Sequence, residues 1–325
     1  MPRRVNSGSA ATPLTTISIE TGAHRLLIDI KREDMGEFGS IKGRVAAALV
    51  ADGLQKNPGA RHFVESSSGN LAVAMARICS GMGLRFTAVV DPRTPKALVS
   101  EILGSGGAIE MVDCIDSEGN YLSERIRLAS KIGADQGAWW PNQYENFTNP
   151  LTHFTTLAPE VFEPARGPVA AVFVAVSTGG TARGIYDYSR IHSPRTRVVA
   201  VDVEGSRALG AEAGPRMVTG IGSTRESTFL RGLTGIERVW VTEEEAVSEM
   251  VQFNLDAGIA LGVSAGALLR AAINQSFELS GTGGRIVCVA ADGGTPYTEL
   301  HGAFDSRRLG PRRYSLIWDG RAHPN

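Results

Sequence analysis

Val169-Ala-Ala-Val-Phe-Val-Ala-Val176 runs directly into Ser177-Thr-Gly-Gly-Thr181, and this junction decides the fold. An apolar run without polar alternation describes a strand buried on both faces, as in a parallel sheet covered by helices. The glycines and hydroxyls after it make a strand-to-helix turn whose free amides suit phosphate oxygens. An ordinary Gly-Gly turn has the same composition, so both readings stand at this point. Outward from the junction the alternation repeats. Strands are expected at Arg25–Ile30, His62–Glu65, Phe86–Asp91, Ala108–Asp113, Arg197–Asp202, Arg238–Thr242, Ile259–Gly262 and Arg285–Ala290. Helices are expected at Ile41–Leu54, Asn70–Cys79, Tyr121–Ile132, Glu243–Asp256 and Gly266–Gln275. Such a series argues for an α/β fold with parallel sheets. It is too irregular for an eightfold barrel, and breaks at Trp139–Pro150 and Gly167-Pro168 suggest two lobes with a cleft.

The 325 residues are 42% hydrophobic and 21% charged, with 33 basic against 34 acidic side chains. That balance excludes a disordered chain. It also offers no electrostatic footprint for nucleic acid or an anionic membrane. Glycine is in excess, 38 residues against about 7% in average proteins. No repeat explains the surplus, so turns and close backbone approaches must. The arginines near the start precede no apolar stretch, and no segment approaches ~18 uninterrupted apolar residues, so neither a secretory signal nor a membrane span is expected. Cys79, Cys114 and Cys288 lie far apart without metal-type spacing. Reduced thiols and a cytoplasmic location follow as expectations.

Three further segments could carry chemistry. Glu65-Ser66-Ser67-Ser68-Gly69-Asn70-Leu71 is again a strand end entering a helix, where orphan amides and the positive dipole end suit a carboxylate. An N-cap by Ser68 or Asn70 explains the same residues. Gly39-Ser40-Ile41-Lys42-Gly43-Arg44 puts one of only five lysines near the start of an amphipathic helix. Desolvation there would lower the pKa of Lys42 and make it an amine nucleophile, whereas a snorkelling surface lysine is the plainer alternative. Gly262-Val263-Ser264-Ala265-Gly266 matches the G-x-S-x-G elbow of serine hydrolases, with Asp292 and His301 following in hydrolase order. Only about sixty residues remain after Ser264 and no oxyanion-type glycine motif is present. A helix start whose hydroxyl meets a ring nitrogen or a phosphate is the better use of that serine. No lysine follows a glycine, which excludes a P-loop, and Gly220-Ile-Gly222 lacks the third glycine of a dinucleotide fingerprint.

Taken in order, the lysine, the Ser-Gly-Asn loop, the hydroxyl-glycine turn and the late G-x-S-x-G resemble the fold type II pyridoxal-phosphate enzymes. This is the cysteine synthase and cystathionine β-synthase family, and the resemblance runs from Thr12 to about Tyr297. It implies a tryptophan synthase β-like α/β fold, two lobes with parallel sheets flanked by helices, a homodimer, and pyridoxal 5'-phosphate as cofactor. Carried over by position, it implies Lys42 as the Schiff-base lysine and Asn70 as partner of the cofactor's 3-hydroxyl. Ser177, Thr178, Gly179, Gly180 and Thr181 would cradle its phosphate, and Ser264 would meet the pyridine nitrogen. Ser67, Ser68, Gly69 and Leu71, with Gln143 in Pro-Asn-Gln-Tyr, would hold the substrate carboxylate. A neutral serine at the ring nitrogen makes a weaker electron sink, which favours expelling a β leaving group, with Lys42 as base for the α-proton. The implied reaction is β-replacement through an aminoacrylate.

Within the family, Glu65–Leu71, Val89–Pro92, Trp139–Tyr144, Val199–Ser206 and Gly220–Arg225 resemble a narrower branch. Its enzymes join O-phospho-L-serine to the amino group of L-glutamate and supply 2,3-diaminopropionate for natural-product pathways. Gly220 and Arg225 are then candidates for the substrate, Arg225 for its phosphate, since a guanidinium matches phosphate oxygens bidentately. An exposed loop arginine is the plain alternative. Cysteine synthesis from O-phosphoserine or O-acetylserine and a sulfur nucleophile is the second reading, and a catalytically dead metabolite-binding member a third. The implied partners are small amino-acid substrates, with no nucleic acid and no membrane. Departures flank the lysine: Gly43 stands where most relatives have Asp, and Gly36-Glu37-Phe38-Gly39 where they have Asn-Pro-Gly-Gly. Leu71 replaces a common Thr, and Ala72 a Gly. Residues 36–150 are expected to form a smaller mobile lobe, and 1–35 with 151–325 the larger cofactor-binding lobe.

Overall fold

The computed structural model describes residues 11–21, 24–117, 119–280, 283–294 and 313–317. The chain opens with an antiparallel pair, β1 (Leu14–Thr21) and β2 (His24–Arg32). Helix α1 (Lys42–Lys56) leads into β3 (His62–Ser66), α2 (Asn70–Gly81), β4 (Arg85–Val90), α3 (Lys96–Gly104), β5 (Ala108–Met111) and α4 (Leu122–Gln136). Then α5 (Thr148–Thr152), a wide helical turn over His153–Leu157 and α6 (Ala158–Val161) return the chain to β6 (Val169–Ala175). After it come α7 (Gly180–His192), β7 (Arg197–Val203), β8 (Glu237–Val241), α8 (Glu243–Ala257) and α9 (Val263–Asn274). The short α10 (Ser276–Ser280), β9 (Arg285–Ala290) and β10 (Arg313–Leu316) complete the order.

Two sheets result. β3, β4 and β5 pair in parallel as a three-stranded sheet. The larger sheet runs β10-β1-β2-β9-β6-β7-β8, parallel from β2 to β8 and antiparallel at the β10-β1-β2 edge. Both faces of each sheet are covered. Phe173, Val201, Met250 and Leu268 pack on one side of the large sheet, and Val172, Ala200, Ile185 and Leu157 on the other. The small sheet buries Phe63, Leu49 and Met75 on one face and Val64, Ala129 and Ile132 on the other. Fully burying such side chains stabilises by about 1.5–3 kcal/mol each, and this explains the uninterrupted apolar strands. In α9 every residue from Val263 to Leu269 is buried, and Gly266 lies so close to α8 that an added Cβ would stand 2.1 Å from the Ala246 carbonyl oxygen.

The expected strands and helices form with ends moved by a few residues, apart from one. Ile259–Gly262 is not a strand: among the described residues it contributes a single bridge, Leu261 to Gly293. Conversely β1 and α3 were not expected. β1 hides its period-two pattern, Ile17 and Ile19 inward, among threonines, a serine and a glutamate. Among the described residues no helix is long and apolar enough to cross a membrane, and no cluster of His, Cys, Asp or Glu could hold a metal ion.

Behind the start of α1 lies a buried ionic knot. Arg44 donates to Glu33 at 2.7 and 3.0 Å and to both oxygens of Glu160 at 2.8 Å. Lys31, fully buried on β2, reaches Glu160 at 2.6 Å and the hydroxyl and carbonyl of Thr12. The knot ties β2, α1 and α6 together two residues from Lys42.

Candidate active site

Four helix starts converge on the carboxyl ends of the strands: α1 at Lys42, α2 at Asn70, α7 at Gly180 and α9 at Val263. None is capped by a side chain, so each offers N–H groups without an intrahelical acceptor. The extension of β9 holds them together. Ile41 donates its N–H to Ala291 at 2.7 Å, Gly262 its N–H to the Asp292 carbonyl at 3.0 Å, and Asn70 Nδ2 to Asp292 Oδ2 at 2.8 Å.

Lys42 and the hydroxyl-glycine turn meet in one pocket, whose walls include Lys42, Ser177, Thr178, Gly179, Thr181 and Gly220. Apolar Ile41, Val174 and Val289 line the rest. Burial pushes the Lys42 amine down to about 8, against the pull of the Asp292 carboxylate. Lys42 therefore lies inside the cleft, unlike a surface lysine. Gly179 adopts φ +88° as the N-cap of α7, a conformation that favours glycine, with Ser227 Oγ 2.0 Å from where its Cβ would be. The loop is braced from outside: Ser227 Oγ donates to the Thr178 carbonyl at 2.7 Å and Asn149 Nδ2 to Thr178 Oγ1 at 3.2 Å. Thr181 Oγ1 pairs with His153 Nε2 at 3.1 Å. Burial holds His153 well below its ordinary pKa, with Lys42 and Arg44 pushing the same way, so its imidazole is neutral. Gly180 is not a pocket wall; it makes room for Asn149, whose Oδ1 lies 2.1 Å from the site of an added Cβ.

Ser67 is buried, while Ser68, Gly69 and Asn70 are half-buried at the mouth of the cleft. The N-cap is Gly69, in extended conformation, so neither Ser68 nor Asn70 caps the helix. Leu71 sends its side chain into the small-sheet core, which leaves its backbone as the part able to meet a ligand. Gln143 is buried and donates Nε2 to the Ser66 carbonyl at 2.9 Å, and Tyr144 adds its hydroxyl to the same oxygen at 3.3 Å. Beneath them Glu65, wholly buried, accepts from the N–H groups of Ser66 (2.9 Å) and Gln143 (3.2 Å) and from Trp140 Nε1 (3.4 Å). Burial pushes its carboxyl up to about 8, with those donors pulling the other way. Arg225 is engaged: its Nη2 meets Glu145 Oε1 at 2.7 Å and Thr228 Oγ1 at 3.2 Å, and its guanidinium lies over the Tyr144 ring.

Ser264, in the first turn of α9, is fully buried, and among the described residues its Oγ has no hydrogen-bond partner. A hydrolase nucleophile must be presented at a strand-to-helix elbow, and here no strand precedes it and no solvent reaches it. Asp292 bonds to Asn70 across the cleft, and His301 lies outside the described residues. An orphaned buried hydroxyl is costly unless a ligand completes it. An aromatic ring nitrogen would do so, and with the amine of Lys42 and the uncapped start of α7 these residues fit pyridoxal phosphate. Sequence reading missed Glu65, Asn149, His153 and Ser227, and considered Asp292 only as a hydrolase acid.

The sequence pattern of the family described as pyridoxal-phosphate dependent enzyme matches residues 5–292. The chain is 36% identical over 292 residues to N-(2-amino-2-carboxyethyl)-L-glutamate synthase of Ralstonia nicotianae, covering 89% of this chain and 86% of that one. The protein of the same name from Cupriavidus metallidurans is 36% identical over 267 residues, 81% of this chain and 78% of its own. Among solved structures, O-ureido-L-serine synthase superposes with a TM-score of 0.79 at 24% identity, over 91% of this chain and 93% of that one. The O-acetylserine dependent cystathionine β-synthase of Helicobacter pylori gives 0.79 at 22% identity, over 92% and 98%. These two likenesses show the fold.

Proposed function

The chain belongs to the family of pyridoxal-phosphate dependent enzymes, and from that premise we propose β-replacement on an activated L-serine, O-phospho-L-serine favoured, with L-glutamate as the amine nucleophile. The product would be a precursor of 2,3-diaminopropionate. The observation that carries the reading is the meeting of Lys42 with the Ser177–Thr181 turn in one pocket. The names of the two relatives at 36% identity support the choice of glutamate.

The cofactor is pyridoxal 5'-phosphate, which when bound supplies the electron sink that makes an amino acid's α-hydrogen acidic. The chain's residues do the rest in this reading. Lys42 is the covalent anchor and then the base for the α-proton, and burial keeps a usable share of its amine unprotonated near neutral pH. The Ser177–Thr181 turn and the start of α7 hold the phosphate. Ser264 meets the ring nitrogen with a neutral hydroxyl, and Asn70 gives an amide hydrogen to the phenolic oxygen. Ser67, Ser68, Gly69 and the Leu71 amide, with Gln143, take the substrate carboxylate at the positive end of α2. Gly220 and Arg225 face the leaving phosphate. We include in the proposal that the lobe of residues 36–150 closes over substrate, and that the protein acts as a cytoplasmic homodimer.

The test is the visible spectrum of purified protein, alone and with O-phospho-L-serine. The reading expects a cofactor band that Lys42→Ala loses and that substrate shifts with release of phosphate. Incubation with glutamate or sulfide then separates the diaminopropionate reading from cysteine synthesis. Protein that stays colourless after reconstitution overturns both.

A further inference from the structure

Asp292 has no part in the roles proposed above, yet it lies where the helix starts meet. Its backbone is fixed on both sides, by a bridge to Ser40 before α1 and by the Gly262 N–H before α9, and its carboxyl meets Asn70 Nδ2. The side chain is 4% exposed. We propose that Asp292 is a positioning residue of the cofactor site: its carboxylate takes one Nδ2 hydrogen of Asn70 across the cleft, turning the second toward the cofactor's phenolic oxygen, and keeps a negative charge beside Lys42. The inference rests on the cofactor reading given above.

Geometry and charge agree. An amide nitrogen carries two hydrogens, so the 2.8 Å bond to Asp292 orients the amide without exhausting it. Among the described residues, Asp292, just beyond β9, is the charge that acts on Lys42, while His153, from the turn after α5, feels both Lys42 and Arg44. Arg44 is occupied by Glu33 and Glu160, and His153 is neutral. Asp292 is therefore the anion that favours the protonated form of Lys42, and the same charge would favour a positive nitrogen at that position with the cofactor bound.

Two substitutions separate the roles. Asp292→Asn keeps an acceptor for Asn70 and removes the charge, so the pH midpoint of the holoenzyme's visible band should fall by about one unit or more, with cofactor affinity little changed. Asp292→Ala removes both, and its loss of pyridoxal-phosphate affinity should be non-additive with that of Asn70→Ala. A residue that only supports the fold would lower affinity and melting temperature together and leave the midpoint in place. An unmoved midpoint in folded Asp292→Asn overturns the inference, even if the alanine variant does not fold. If wild type takes up no cofactor, or Lys42→Ala keeps the band, the underlying reading fails instead.

Discussion

Glu65 illustrates how a single buried group can set a pH limit. It sits in the floor beneath Ser66–Leu71 and Gln143, receiving N–H donors while burial favours its neutral form. A carboxyl raised from an ordinary 4.5 to about 8 binds its proton more tightly in the folded chain than in the unfolded one. The stability it contributes is fully present below the ordinary value and is lost as pH rises through about 8. Urea unfolding between pH 5 and 9 should show stability falling with pH, and Glu65→Gln should flatten that slope. An unchanged slope would assign the dependence elsewhere. Arg225 gives a second prediction. Glu145 competes for the guanidinium, so Glu145→Ala should lower the KM for O-phospho-L-serine severalfold and leave that for O-acetyl-L-serine unchanged, a size appropriate to a half-exposed ion pair. If Arg225→Ala leaves O-phosphoserine affinity as it was, the phosphate role is wrong.

The start of α1 shows two departures from the family pattern explaining each other. An added Cβ on Gly43 would stand 2.6 Å from Phe38 Cδ2, so the phenyl ring occupies the space a larger residue would need. Gly43→Asp should cost about 1–3 kcal/mol by thermal unfolding, and the double variant with Phe38→Gly less than the sum of the two. On the other side of the same turn, Arg44→Ala leaves Glu33 and Glu160 without their guanidinium. Such a break in a buried pair costs about 3–5 kcal/mol, and denaturant unfolding would measure it. The sequence made part of this element legible. Lys42 stood out because lysine is rare here, and the Ser177–Thr181 turn because its glycines and hydroxyls join a buried strand to a helix, although an ordinary turn has the same letters. The partners of these residues were not legible. Asn70 and Asp292 are 222 positions apart, and His153 sits in a segment to which its letters assign no role. β1 escaped because threonines, a serine and a glutamate fill most of it, leaving Leu14, Ile17 and Ile19 as its apolar signal.

At the scale of the molecule, the strand order places what the chain order separates. Residues from Lys42 to Asp292 reach one cleft because β9, near the end of the series, lies between β2 and β6. Among the contacts between residues 36–150 and the rest of the chain are Asn70 to Asp292 and Arg225 to Glu145. The expected closure of residues 36–150 over substrate should appear as a smaller radius of gyration in solution scattering with substrate present, and an unchanged radius would mean that the lobes are already fixed. The position of β9 also bears on how the protein is made. A ribosome has finished the three-stranded sheet and most of the large one while β2 and β6 still lack the neighbour that joins them. Until residue 290 leaves the exit tunnel, both strands present unpaired, apolar edges of the kind that recruit other chains. Premature termination anywhere in the last helices therefore yields an open sheet, a product for the cell's chaperones and proteases to deal with.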